Sequence, residues 1–238
     1  MIMNLSDKVV LITGGTGEIG KIIGLSLLEN GARIIVNYYR NEEKKNISEM
    51  YFSKYQGNYF FIKADISDKS EVNKLMIVAE KVFGPIDILI NCAAISENSP
   101  FLYTDIDIMN KVININLFGT LLTIKYFIKL RLNKKIKIIN IGSRRGREGI
   151  VYNTCYSCSK SGLIGLTKSV ASELRELDIS ISLIYPPSIP SSINKNSRRN
   201  NMEINIFKKQ IIYMCSDVFF NKQGAIYQLE GDKYISDT

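Results

Sequence analysis

Histidine is absent from all 238 residues, and cysteine occurs only four times. Without imidazoles, a zinc site needs thiolates in pairs. Cys155 and Cys158 form one C-x-x-C, but Cys92 and Cys215 stand apart, so no metal site is expected. A thioredoxin-like redox pair would open a helix just after the first strand, and this pair lies far beyond it. Reduced structural thiols in a cytosolic protein are the expectation. No apolar run approaches the roughly 18 to 20 residues of a membrane span. The start, MIMNLSDKVVLITGG, has no basic region ahead of an apolar run and no small-residue cleavage site. A cytoplasmic protein without membrane association is therefore expected. Acidic residues are outnumbered, 23 against 31 basic, which leaves a net charge of +8. The basic residues are scattered, which argues against nucleic acid and favours anionic small-molecule substrates.

What the chain has is alternation. Its 45% apolar and 23% charged residues suit an ordinary globular protein, and its length suits one large α/β domain over 1–238. Short apolar runs (KVVLI, ARIIVNYY, NYFFIKAD, IDILINCAA, KIKIINIGS, SISLIYP, GAIYQLE) read as seven strands. Between them lie helical stretches, including a long helix over about Asp105–Leu132 and another over about Tyr156–Leu177. Strands apolar throughout, separated by helices, predict a parallel sheet covered on both faces, a doubly wound Rossmann fold. One polar segment, about 186–205, is bracketed by prolines and reads as a surface loop.

The first strand runs into Thr13-Gly14-Gly15-Thr16-Gly17-Glu18-Ile19-Gly20, then a helix. Glycines there permit a tight turn and let backbone N–H groups approach a pyrophosphate at the helix N-terminus. Gly14, Thr16, Gly17, Glu18 and Ile19 are the expected dinucleotide contacts. The second strand ends Asn37-Tyr38-Tyr39-Arg40-Asn41, with no acid before Glu42. A ribose carboxylate partner is missing, and Arg40 beside Tyr39 would welcome a 2′-phosphate, so NADP(H) is favoured over NAD(H). Asp65, followed by Ile66, is placed to meet the adenine amino group, or else to cap the next helix, where Asp68 could serve equally. Asn91 and Ala93, in the small-residue ending NCAA, suit close passage of a cofactor.

Taken in order, TGGTGEIG, ADISD, NCAA, NINLFG, IINIGS, YSCSK and QLEGD make the chain resemble the short-chain dehydrogenase/reductase family, from Lys8 to about Gly231. The nearest activity that resemblance implies is 3-oxoacyl-[acyl-carrier-protein] reduction. It implies that Tyr156 is the acid–base residue and Lys160 its partner, the lysine lowering the phenol pKa and holding the nicotinamide ribose. It also implies that Ser143 polarises the substrate oxygen and that Asn116 keeps a water in a proton relay behind the lysine. Relatives assemble as dimers or tetramers through the two long helices, so a homodimer or homotetramer is expected.

Three departures qualify the resemblance. Glu18 stands where most of this branch has glycine, and its carboxylate would repel a pyrophosphate unless it points outward along the helix. Pro186-Pro187 replaces the usual Pro-Gly, leaving the nicotinamide carboxamide to the Ile189 backbone and to the Ser191 or Ser192 hydroxyl. The segment from Pro187 to Ser216 is roughly twenty residues shorter than the family's helical lid, which implies an open pocket. Arg144-Arg145-Gly146-Arg147, directly after Ser143, can bind a phosphate or carboxylate, as on a substrate linked to acyl carrier protein, coenzyme A or a sugar nucleotide. A solvated basic loop paired to Glu148 is the rival reading. Other expectations compatible with the motifs are a sugar or polyol dehydrogenase, a biosynthetic tailoring reductase, and a nucleotide-binding regulatory subunit without catalysis.

Overall fold

The computed structural model describes residues 3–190, 200–221 and 223–237. Seven parallel strands form where the apolar runs predict them: β1 (Val9–Thr13), β2 (Arg33–Tyr38), β3 (Tyr59–Lys63), β4 (Ile88–Asn91), β5 (Ile136–Ile141), β6 (Ile179–Ile184) and β7 (Ile226–Glu230). An eighth, β8 (Lys233–Asp237), pairs antiparallel with β7 and closes the sheet in the order β3-β2-β1-β4-β5-β6-β7-β8. The seven-strand expectation falls one short because KYISD mixes charged and apolar residues and offers no apolar run to read.

Period-two packing explains why the central strands are apolar throughout. Val10 and Ile12 of β1 point to one face, into a core shared with Ile23 and Leu27 of α1 (Glu18–Glu29). Val9 and Leu11 point to the other, into a core with Leu75 and Met76 of α3 (Lys69–Phe83). The remaining helices are α2 (Glu42–Phe52), α4 (Ile106–Ile113), α5 (Gly119–Leu130), the single turn α6 (Arg145–Glu148), α7 (Thr154–Glu173) and α8 (Asn201–Cys215). The sheet order reverses at β1, whose neighbours are β2 and β4. Ligand crevices of doubly wound sheets open at such a switch point, beyond the carboxyl ends of the strands.

The long helix expected over Asp105–Leu132 is instead three pieces. Between α4 and α5 lies a π-helical segment, Asn114–Phe118, that carries Asn116. The extra residue per turn re-aims the side chains after it. Beneath this region a buried polar chain crosses the sheet. Thr123 of α5 donates to Asn91 Oδ1 (2.7 Å), Asn91 donates to Asn140 Oδ1 (2.9 Å), and Asn140 donates to Thr167 of α7 (2.9 Å).

Candidate active site

The turn after β1 is built for close approach. Gly14 has φ +60°, and a Cβ there would lie 2.5 Å from the Ala93 Cα at the end of β4. Across the turn, a Cβ on Gly20 would lie 2.6 Å from the Gly15 Cα. Gly17 opens α1 without any side-chain cap, so the first N–H groups of that helix face the crevice unclaimed by a cap. A cavity of about 530 Å³ sits there. Gly14, Thr16, Gly17, Glu18 and Ile19 line it on one side. Tyr39, Asp65, Ile66, Ala93, Tyr156, Lys160 and Pro186 are also in its wall.

Five expected contacts sit elsewhere or differently. Ile189 is buried and lines two neighbouring cavities but not this one. Arg40 is exposed, in a left-handed backbone conformation (φ 59°), with its guanidinium 4.7 Å from the Tyr39 ring, and it does not line the cavity. Asn41 and Lys44 do, while Glu42 is drawn aside to Lys63 at 3.1 Å. The Asn91 side chain is spent in the buried polar chain. Glu18 lies along α1 in an ion pair with Lys21 (2.7 Å), which partly neutralises its carboxylate. Asp65 turns one carboxylate oxygen to the Ser67 N–H (2.9 Å) and hydroxyl (2.6 Å), while Asp68 caps α3. Burial would raise Asp65, but bonds from Ser67 and Tyr39 and the charge of Arg40 outweigh it and hold its carboxyl below the usual value. Ser191 and Ser192 lie outside the described residues.

Around Tyr156 the sequence-predicted residues converge. Ser143, just past β5, lines the same cavity as Tyr156 and lies near enough to its hydroxyl to favour the ionised form. Lys160, one turn on along α7, is 3% exposed and donates to the Ile141 carbonyl (2.8 Å), its Nζ 5.8 Å from the Tyr156 ring centroid. Asn116, fully buried, grips the Ile95 backbone, accepting from its N–H (2.9 Å) and donating to its carbonyl (2.8 Å), and also donates to Ser159 (3.1 Å). The electrostatics differ from the expected lowering of the phenol by lysine. Burial is the largest influence on Tyr156 and pushes its hydroxyl up, against the nearby Ser143 hydroxyl and the charge of Arg145, which pull it down. Burial likewise lowers Lys160, to about 8. A protonated phenol beside a hydroxyl donor can hand a proton to an oxygen placed between them.

The short chain dehydrogenase family matches residues 8–202. The chain belongs to that family. It is an oxidoreductase, and the family's dinucleotide fits the uncapped α1 turn described above. The chain is 31% identical over 193 residues (81% of this chain, 78% of the other) to a 3-oxoacyl-[acyl-carrier-protein] reductase of Synechocystis. A short-chain dehydrogenase structure from Bacillus anthracis superposes with a TM-score of 0.85 at 24% identity, covering 95% of this chain and 96% of that one. An actinorhodin polyketide ketoreductase solved with NADPH superposes at 0.72 with 27% identity, over 79% and 73% of the chains.

Within this dehydrogenase fold, one buried group escapes the sequence motifs. Glu97, 4% exposed, accepts from the Cys155 N–H (2.5 Å) and from the Tyr156 N–H (3.2 and 3.1 Å to its two oxygens). It caps α7 from a distant loop because the local N-cap residue, Asn153, makes no side-chain cap. The Asn153 Oδ1 accepts instead from the Ser96 hydroxyl (2.7 Å) and Arg145 Nη1 (3.0 Å). No signal in the sequence joins Glu97 to the YSCSK helix. Lys44, the first cation inside α2, also lines the cavity, and its place on the first turn of a helix that follows β2 is a signal the sequence carries.

Proposed function

We propose that the protein reduces a ketone to a secondary alcohol with NADP(H), Tyr156 acting as the proton donor and acceptor. Bound in the crevice, the dinucleotide supplies hydride in this direction and accepts it in the other. The observation that carries the reading is the meeting of three side chains: Tyr156 shares one cavity wall with Ser143 and the glycine-turn cavity with buried Lys160. Tyr156 is protonated at neutral pH, as any phenol is, burial holds it further from ionising, and it gives up that proton to the substrate alkoxide that forms beside Ser143. Ser143 orients the substrate oxygen. Lys160, pinned to the Ile141 carbonyl, has further N–H groups for a ribose hydroxyl. Asn116 holds Ile95 and Ser159, and so fixes the crevice wall against α7. The 2′-phosphate falls to Lys44, with Arg40 at the rim and no free carboxylate at the end of β2. A 3-oxoacyl thioester, the substrate named for the Synechocystis relative, is the first ketone to try, and the cytoplasm, with a homodimer or homotetramer, is the proposed setting.

Steady-state NADPH oxidation tests this. Tyr156→Phe should lower kcat by about 10² to 10⁴, with NADPH still binding, and more tightly than NADH, in a fluorescence titration. Turnover that survives in Tyr156→Phe would defeat the assignment. NADPH binding without turnover on any ketone would favour a regulatory subunit.

A further inference from the structure

Next to the glycine-turn cavity lies a second one of about 370 Å³, sharing Tyr156 and Pro186 with it and reaching Ser143. A substrate ketone hydrogen-bonded to Ser143 and Tyr156 must extend into this space. Its wall carries Arg144, Arg145 and Glu148, so its formal charge is about +1, which suits a monoanion better than a dianionic phosphate.

The three arginines after Ser143 do not act together. Arg147 reaches away to Gln228 on β7 (2.7 Å). Arg144 is exposed and lends its charge to Tyr234 on β8. Arg145 is the half-buried one of the three. Its backbone N–H donates to Ser143 Oγ (3.2 Å), and its Nη1 is steadied by Asn153 Oδ1 (3.0 Å). Among the described residues no carboxylate lies within ion-pair distance of it, Glu148 included. A half-buried guanidinium with one neutral partner keeps donors in a planar fork that a carboxylate can meet with two hydrogen bonds.

We infer that the substrate is an oxo acid, and that Arg145 binds its carboxylate while Ser143 and Tyr156 hold the ketone a few bonds away. The inference rests on the Tyr156 chemistry proposed above and narrows the substrate class. In a carrier- or coenzyme A-linked thioester the phosphates lie many bonds from the ketone, so on this inference the free acid is preferred to the thioester.

The test compares acetoacetate with ethyl acetoacetate, which present the same ketone and differ by one charge. In NADPH-coupled assays the wild-type protein should favour acetoacetate in kcat/KM, and Arg145→Gln should cut that ratio by about 10- to 100-fold, with Arg145→Lys between. Glu148→Gln should move the ratio the other way. Calorimetric titration of acetoacetate into the protein–NADP⁺ complex reads the same site without turnover. Equal kcat/KM for the two probes, or a ratio unchanged in Arg145→Gln, overturns the inference. Turnover that needs Tyr156 but ignores the charge would leave the ketone-reductase reading standing without the anion site. Arg145-dependent binding with no turnover would do the reverse.

Discussion

Tyr156 sits on the third residue of α7, and the group that holds it there is a carboxylate 59 residues earlier in the chain. Two orphan N–H groups of the helix end on Glu97, and the loop that carries it is clamped at the two residues just before it. Asn116 fixes Ile95 and Asn153 fixes Ser96. Glu97→Gln keeps an acceptor but loses the charge, and should cost about 1 to 3 kcal/mol of stability. Urea unfolding reads that loss. If Glu97 positions the phenol, kcat should fall while the Kd for NADPH stays within a few-fold; an unchanged kcat would make it a stability residue only. Tyr156, Lys160 and Ser143 are legible in the sequence because their order and spacing are written along one strand and one helix. Glu97 is not, since a tertiary cap has no local pattern. Arg40 misleads because a left-handed backbone turns it over Tyr39, a choice that residue type alone does not fix.

At the scale of elements, the seven parallel strands can be read from apolar runs, but helix boundaries and irregularities cannot. The stretch NINLFG contains no proline, and nothing in it announces that α4 and α5 are separated by a π turn. The short element α6 matters more than its one turn suggests, because it carries Arg145 directly after Ser143. It packs so closely on α7 that a Cβ at Gly146 would lie 2.7 Å from the Lys160 carbonyl carbon. The Ser161 hydroxyl also donates to the Gly146 carbonyl. Gly146→Ala must therefore lift α6 from α7, and Ser143 with it. The expected outcome is a stability loss of about 1 to 3 kcal/mol and a kcat at least about tenfold lower, with dinucleotide affinity nearly kept. A variant with full kcat would show that Ser143 does not ride on this contact.

For the whole molecule, buried ionisable groups set how stability responds to alkali. Burial lowers Lys160 and Lys137 from 10.5 to about 8 and raises Cys92 and Cys215 from 9.0 to about 12. Between about pH 8 and 10.5 the unfolded chain binds more protons at the lysines, so stability rises with pH. Between about pH 9 and 12 the folded chain binds more protons at the thiols, so stability falls. The dinucleotide-free protein should thus gain about 1 to 2 kcal/mol from pH 8 to 9, level off, and weaken above about 10.5. Urea midpoints across that range test it, and a steady decline from pH 8 would contradict the lysine directions. The two-sided core and the strand order follow from the sequence pattern; these buried charges do not, because Lys137 alternates with isoleucines in KIKII and reads as an outward residue. The chain Thr123–Asn91–Asn140–Thr167 also binds evolution's hands. Changing any one link strands a donor or acceptor inside the core, so these four positions can drift only in concert, as a matched set of amides and hydroxyls or a matched set of hydrocarbons.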